Sequence, residues 1–273
     1  MKTLNLVGAG RVGQTLARLW QRQGSFAVQD VLTTSLQRAE LACASIGAGR
    51  AVDNPQALRP ADVWMLAVPD AQISAAAQAL AAALPANATP ALVFHCSGAL
   101  GHGLLAPLAE RGWQTASAHC ILSFASVDAA VAQFAGTACA LEGDPAACEI
   151  LRSAFTAIGA QCFGVATEHK LLYHAAAVFA TNFLPVLQSV AEDAWRSSGV
   201  PAELIPGLRR MLLNNAVANI TALGPAAALT GPAARGDTAA IARQAQAVTA
   251  WDAQAGAAYE ALSALALRMA GKT

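Results

Sequence analysis

The stretch Lys2-Thr3-Leu4-Asn5-Leu6-Val7-Gly8-Ala9-Gly10-Arg11-Val12-Gly13-Gln14-Thr15-Leu16-Ala17 decides how the rest of the chain is read. A short apolar run (Leu4, Leu6, Val7) breaks into three glycines spaced G-x-G-x-x-G, and a helical pattern follows at Val12, Leu16, Leu19 and Trp20. A strand that turns through such glycines into a helix can hold a dinucleotide, with a separate task for each glycine. Gly8 permits the tight turn, Gly10 lets backbone approach a pyrophosphate, and Gly13 lets helix and strand pack closely. The phosphates then face the open N–H groups and positive dipole end of the helix. Gly8, Ala9, Gly10, Arg11, Val12 and Gly13 are therefore the expected phosphate contacts.

Phe26 to Leu32 reads as a second strand, and the residues just past its end select the cofactor. A carboxylate about 20 residues past the glycines would bind the ribose 2′-OH of NAD. Here that place reads Thr33-Thr34-Ser35-Leu36-Gln37-Arg38, without an acid. Hydroxyls of Thr33, Thr34 and Ser35 with the Arg38 guanidinium suit a 2′-phosphate, so NADP is expected in preference to NAD. Asp30 lies earlier, inside the strand, and Thr33 to Ser35 can also cap the helix beginning near Leu36.

Further strands follow at Ala61 to Asp70, with Val68 and Pro69 at the cofactor-facing carboxyl end, and in the strand-to-turn run Leu92 to Leu100, with Ser97 and Gly98 just beyond the strand end. Thr115 to Phe124 carries His119 at a strand end, and Ala138 to Leu141 and Gln161 to Val165 read as two short strands around a helix. The pattern predicts an α/β, doubly wound sheet of six or more strands ending near Gly164. Beyond it, helix follows helix. The expected domains are 1–164, binding NADP, and 165–273, all-α, serving substrate and dimerisation. The first helix of the second domain, Glu168 to Ser197, is about 30 residues long, more than a small helical domain needs. Such apolar, Ala-rich helices predict a homodimer.

Lys plus Arg and Asp plus Glu both total 17, leaving no basic field for nucleic acid. Hydrophobic residues make up 55% of the chain, yet the most apolar run, Ala175 to Leu187, is interrupted by Asn182 and Pro185. No membrane span and no signal peptide are expected. The six cysteines have neither C-x-x-C pairing nor metal-ligand spacing, and they read as small buried hydrophobes of a cytoplasmic protein. No metal is expected.

Polar residues on the long helix are few: His169, Lys170, Tyr173, His174, Thr181 and Asn182. At about 100° per residue, His174 lies roughly 40° round from Lys170, so the two share a face, whereas Asn182 lies about 120° round. Lys170 or His174 suits proton transfer during reduction of a carbonyl or imine, since burial lowers a lysine pKa and histidine starts near neutrality. Asn182 suits orienting a substrate oxygen. His119 follows a sheet strand near the expected nicotinamide end. Arg235 either pairs with Asp237 or grips a substrate carboxylate.

The strings Val93-Phe94-His95-Cys96-Ser97-Gly98-Ala99-Leu100, Lys170-Leu171-Leu172-Tyr173-His174-Ala175-Ala176-Ala177 through Thr181-Asn182, and Ala228-Leu229-Thr230-Gly231-Pro232 with Arg235-Gly236-Asp237 carry a family resemblance. They resemble bacterial proteins that join a Rossmann-like N-terminal domain to a C-terminal domain of unknown function 2520, over essentially the whole chain. The family's His-Pro loop stands here as His119-Cys120, departing at the proline. More distantly, the architecture looks like the 6-phosphogluconate dehydrogenase-like group, which includes ketopantoate reductase, pyrroline-5-carboxylate reductase and prephenate dehydrogenase. That likeness implies a Rossmann domain followed by a helical, dimer-forming domain of the 6-phosphogluconate dehydrogenase C-terminal type. It also implies hydride transfer between the domains and a catalytic lysine early in the first helix. Lys170 and His174 resemble the Lys-x-x-x-Asn pair of ketopantoate reductase, with His in place of Asn. The expected activity is NADP(H)-dependent oxidation or reduction of a small carbonyl, imine or hydroxy-acid substrate. A non-catalytic NADP-binding sensor is the alternative.

Overall fold

The computed structural model describes residues 1–272. One sheet contains eight strands: β1 (Lys2–Val7), β2 (Phe26–Leu32), β3 (Arg50–Val52), β4 (Val63–Leu66), β5 (Leu92–His95), β6 (Gln114–Cys120), β7 (Ala138–Gly143) and β8 (Gln161–Gly164). Their order is β3-β2-β1-β4-β5-β6-β7-β8, every pair parallel except β6 with β7. Strand order reverses between β1 and β4, and open α/β sheets bind ligands in the crevice at such a switch point. Doubly wound architecture is thus present. The three-residue β3, the short helix Val127–Gln133 and the reversal at β7 were not expected from the sequence. A strand as short as Arg50-Ala51-Val52 has no apolar run to announce it.

The central strands β1, β4 and β5 are buried on both faces, as parallel strands between helix layers must be. On one face Trp20, from the helix Arg11–Gln23, is wholly buried and meets Phe26, Phe94 and Phe155 edge-on at 5.2, 6.2 and 5.0 Å. Its indole N–H donates to the Ala154 carbonyl at 2.9 Å, so the ring is buried without leaving a polar atom unpaired. Opposite, Leu32, Val7 and Leu66 pack with Trp64, Ile73 and Leu80.

Asp30 is also fully buried, and the structure accounts for it. Arg50 donates to both its oxygens at 2.9 and 3.0 Å, and Arg59 donates from its backbone N at 2.8 Å and from Nη2 at 2.6 Å. Burial pushes its carboxyl up, but the bonds from Arg59 and Arg50 outweigh that and hold it below the ordinary 3.8. It ties β2 to β3 and is occupied there.

The chain divides by internal packing into Met1–Phe179 and Ala180–Thr273. Strands end at residue 164, but the helix Lys170–Ala177 packs on the sheet, so the compact units part later than 164/165. One continuous helical stretch, Thr167–Ser197, is long and apolar enough by length and composition to cross a membrane. This corrects the expectation that Asn182 and Pro185 interrupt it. A π-helical turn, Val178–Asn182, precedes Pro185, which has no N–H to offer the turn before it. Its first turns are pinned in the sheet unit by buried Lys170, and its last turn carries ion pairs of Arg196 with Glu192 and Asp193.

The second unit is helical, with main helices Phe183–Ser197, Ile205–Leu223, Thr238–Trp251 and Ala253–Met269. Asp237 and Asp252 cap the last two, accepting from Ala240 N at 2.9 Å and Ala255 N at 2.8 Å. Among the described residues Arg235 and Asp237 form no ion pair, contrary to one of the two roles expected for Arg235.

Candidate functional site

The glycine turn has tight backbone packing at Gly8 and Gly13 and open space at Gly10. Gly8 has φ +80°, and a Cβ there would fall 2.6 Å from Val68 Cγ1 and 2.8 Å from the Ala67 carbonyl oxygen. A Cβ on Gly13 would lie 2.8 Å from Ala67 Cβ and 3.1 Å from Leu6 Cδ1, so only glycine lets this helix approach β1 and β4 so closely. A Cβ on Gly10 would meet nothing within 4 Å, and Gly10 caps the helix with no side chain on the first-turn N–H groups. That combination is an open cradle for an anion.

The cradle continues into a cavity of about 770 Å³. Gly8, Ala9, Gly10, Thr33, Thr34, Arg38, Val68 and Pro69 line it. Arg11 and Val12 do not: Arg11 Nη1 donates to the Phe124 carbonyl at 3.5 Å, and Val12 packs against the core. Ser35 caps the helix Leu36–Ile46, accepting from Arg38 N at 3.4 Å. Arg38 Nη1 also lies 3.4 Å from Thr34 Oγ1. Asp53, which comes directly after β3, lines the same cavity and was missed, because nothing in the sequence announces that β3 ends there.

A second polar group stands further along the carboxyl edge. His95, Ser117 and Glu142 occupy one register row across β5, β6 and β7. Ser117 and His119, two residues apart on β6, face the Lys170–Ala177 helix, which presents Lys170, Tyr173 and His174 at i, i+3 and i+4. Lys170 is 1% exposed; its Nζ donates to Ser117 Oγ at 2.7 Å and to the Ser97 carbonyl at 3.3 Å. Burial pulls its pKa below the ordinary 10.5, partly opposed by the charges of Glu142 and Asp70.

His119 Nδ1 shares a 2.8 Å hydrogen bond with the Tyr173 hydroxyl, its direction following the imidazole tautomer. Burial, with His174 and Lys170 close by, pushes His119 down to about 4, so it is neutral near pH 7. His119 and His174 meet edge-on at 5.5 Å. His174 Nδ1 is buried and has no hydrogen-bond partner among the described residues. A Cβ on Gly98 would fall 2.5 Å from that Nδ1 and 2.8 Å from His119 Nε2, so both imidazoles close on the backbone after β5.

Ser97 is buried beneath this group, where it shapes the turn. It donates to Asp70 Oδ2 at 2.7 Å and accepts from the backbone N of Ala99 and Leu100 at 3.2 and 3.0 Å. His95 is structural: its Nε2 donates to the Gly101 carbonyl at 3.1 Å, and its Nδ1 accepts from Ser97 N at 3.2 Å. Asn182 belongs to the second unit, where its side-chain oxygen accepts from Thr181 Oγ1 at 2.8 Å. The structure thus brings Lys170, His174 and His119 together and adds Tyr173, Ser117 and Glu142 to them.

Residues 2–120 match the model of a Rossmann-like domain, and residues 137–266 match the domain of unknown function DUF2520. The chain is a two-domain protein of that combination. No curated protein sequence matches it. Among solved structures, protein TM1727 from Thermotoga maritima is 25% identical, with 98% of each chain covered and a TM-score of 0.77. Protein BF3122 from Bacteroides fragilis, described as a candidate NADP oxidoreductase, is 18% identical over 98% of each chain, with a TM-score of 0.72. The imine reductase of Streptomyces aurantiacus is 19% identical, covering 98% of this chain and 94% of its own, with a TM-score of 0.59.

Proposed function

We propose that the protein is an NADP(H)-dependent oxidoreductase acting on a small carbonyl, imine or hydroxy-acid substrate. One observation carries this reading: the glycine cradle and the Lys170–His119–Tyr173–His174 cluster lie along the same carboxyl edge of one sheet. A dinucleotide spans that edge with its pyrophosphate on the glycine turn, its adenosine toward the second strand and its nicotinamide toward the later strands. Structural similarity to an imine reductase and to a candidate NADP oxidoreductase supports the same class.

The residues fit the cofactor. The open Gly10 turn admits a pyrophosphate, and Thr33, Thr34 and Arg38 offer donors to a 2′-phosphate. When bound, the nicotinamide supplies or accepts a hydride. Lys170 holds a proton at Nζ for the substrate heteroatom, with two of its three N–H groups fixed by Ser97 and Ser117. His119, neutral and tied to Tyr173, orients the substrate by hydrogen bonding. His174, with an unpaired ring nitrogen, offers a further contact.

Calorimetric titration with NADPH and NADH in separate runs tests the pocket. Micromolar NADPH binding with NADH tens of times weaker is expected, followed by NADPH oxidation with a cyclic imine acid or a 2-oxo acid. Equal affinities would overturn the NADP assignment, and binding of neither would overturn the reading. A sensor protein would instead bind NADPH and turn nothing over with any of these substrates.

A homodimer through the helical unit belongs to the same proposal. That unit exposes Val186, Met211, Leu212, Val217, Ile220 and Leu223, more apolar side chain than an isolated soluble surface usually leaves uncovered. Sedimentation at micromolar concentration should give twice the 27.8 kDa chain mass. A cytoplasmic location is in keeping with six free thiols that no disulfide uses.

A further inference from the structure

Buried Lys170 has a continuous side-chain connection to the surface. Its Nζ donates to Ser117 Oγ at 2.7 Å, and Ser117 Oγ donates to Glu142 Oε2 at 3.0 Å. The other Glu142 oxygen, Oε1, accepts from His102 Nδ1 and from Thr167 Oγ1, the latter at 2.6 Å. His102 N further donates to Glu142 Oε2 at 3.0 Å, fixing the carboxylate from both sides. Ser117 and Glu142 are buried, whereas the His102 side chain is 34% exposed.

We propose that Ser117, Glu142 and His102 form a proton path between Lys170 and solvent, refilling the lysine from behind. The path serves catalysis only if Lys170 is the proton source of the reaction proposed above. Each reduction places one proton on the substrate heteroatom, which turns the Lys170 ammonium into an amine. Glu142, briefly in its acid form, passes its proton to Ser117 Oγ as the Ser117 hydroxyl proton moves to Lys170 Nζ. Water protonates His102 Nε2 as its Nδ1 proton passes to Glu142, and exchange of the ring proton from Nε2 to Nδ1 through water returns His102 to its starting tautomer. One proton enters and one leaves, with every carrier restored.

Two features mark this as a path rather than a counter-ion held for charge alone. Ser117 both accepts and donates, so it relays, and a direct Lys–Glu ion pair would have needed no hydroxyl between. The chain also ends on imidazole, the side chain able to exchange protons with water near neutral pH. The titratable groups around Lys170 are Glu142 and Cys139 from β7, Asp70 after β4, His95 from β5, His119 from β6 and His174 from its own helix. Cys148, from the helix Pro145–Ala157, also feels the Glu142 charge. The Glu142 carboxyl is raised by burial, but bonds from Thr167 and His102 hold it below the ordinary 4.5. Its resting form is therefore the carboxylate that accepts from His102.

The chain contains three lysines, Lys2, Lys170 and Lys272, which makes a direct measurement practical. In ¹⁵N-lysine-labelled protein, without cofactor or substrate, the Lys170 ammonium protons should exchange with water at least tenfold slower in His102→Ala, Ser117→Ala and Glu142→Gln. Added imidazole should restore exchange in His102→Ala only. Unchanged exchange in His102→Ala with an otherwise intact amide spectrum would overturn the path, even if the two buried variants fail to fold. In turnover, His102→Ala should lower kcat, leave KM within about twofold and regain kcat with imidazole; a matched loss in both, without rescue, would also overturn it. The exchange readout needs no NADPH, so a failed oxidoreductase reading and a failed path are separate results.

Discussion

One register row crosses the sheet as Val52, Leu32, Val7, Leu66, His95, Ser117 and Glu142, and its character changes at the fifth residue. On the β3 to β4 side the row is hydrocarbon, and what binds above it is chiefly backbone: glycines and an uncapped helix start. On the β5 to β7 side the row is polar, and side chains stand above it. On the function proposed above, one half would be a rigid floor under a held ligand and the other would supply protons to a reacting one. The two halves should therefore respond to substitution in opposite ways.

The largest effect should come from Lys170→Met on the polar half, lowering kcat about 10²–10⁴-fold while NADPH affinity stays within about threefold. Parallel losses of binding and turnover would show that the halves are not separable. Leu66→Ala, in the apolar half of the same row, should cost about 2–5 kcal/mol of stability through a cavity, read as a lower urea midpoint. Activity per folded molecule should survive it, and a selective loss of turnover at unchanged midpoint would break the contrast.

Arg38→Ala should weaken NADPH by about 1.5–3 kcal/mol, roughly 10–150-fold, and leave NADH alone. An equal effect on both would move the phosphate contact away from Arg38 and turn attention to Asp53. A further effect is in acid stability. The His119 pKa is depressed from 6.5 to about 4, so the unfolded chain takes up a proton that the folded chain refuses. Stability from this group is complete above pH 6.5 and drains away as pH falls toward 4. His119→Asn should flatten that slope in denaturant titrations, leaving a remainder from His95, which burial also lowers.

The holding half was legible in the sequence because it is contiguous. Gly8, Gly10 and Gly13 fall within one turn, and Thr33, Thr34 and Arg38 come just after the next strand. The reacting half was only partly legible. Helical periodicity placed Lys170 and His174 on one face, and the structure has them so. Ser117, Glu142 and Tyr173 were not singled out for chemistry, because their roles depend on register between strands far apart in sequence. Glu142 is the clearest case: only the antiparallel pairing of β7 sets it beside Ser117, and a four-residue pattern such as Ala-Leu-Glu-Gly does not announce strand direction. Asp30 shows the converse error to avoid. A carboxylate on the second strand invites a ribose assignment, but Arg50 and Arg59 already occupy it.

The join between β6 and β7 bears on inheritance. The Rossmann-like match ends at residue 120 and the DUF2520 match begins at 137, so two segments matched by separate family models share a hydrogen-bonded sheet. Ser117 and His119 come from the first, and Glu142, Lys170, Tyr173 and His174 from the second. A gene fusion that swapped either segment would bring a strand edge whose register had to meet the other to within one residue. A slip of one would turn every side chain on the joining strand to the wrong face. The two halves are therefore expected to travel through evolution as one locked cassette.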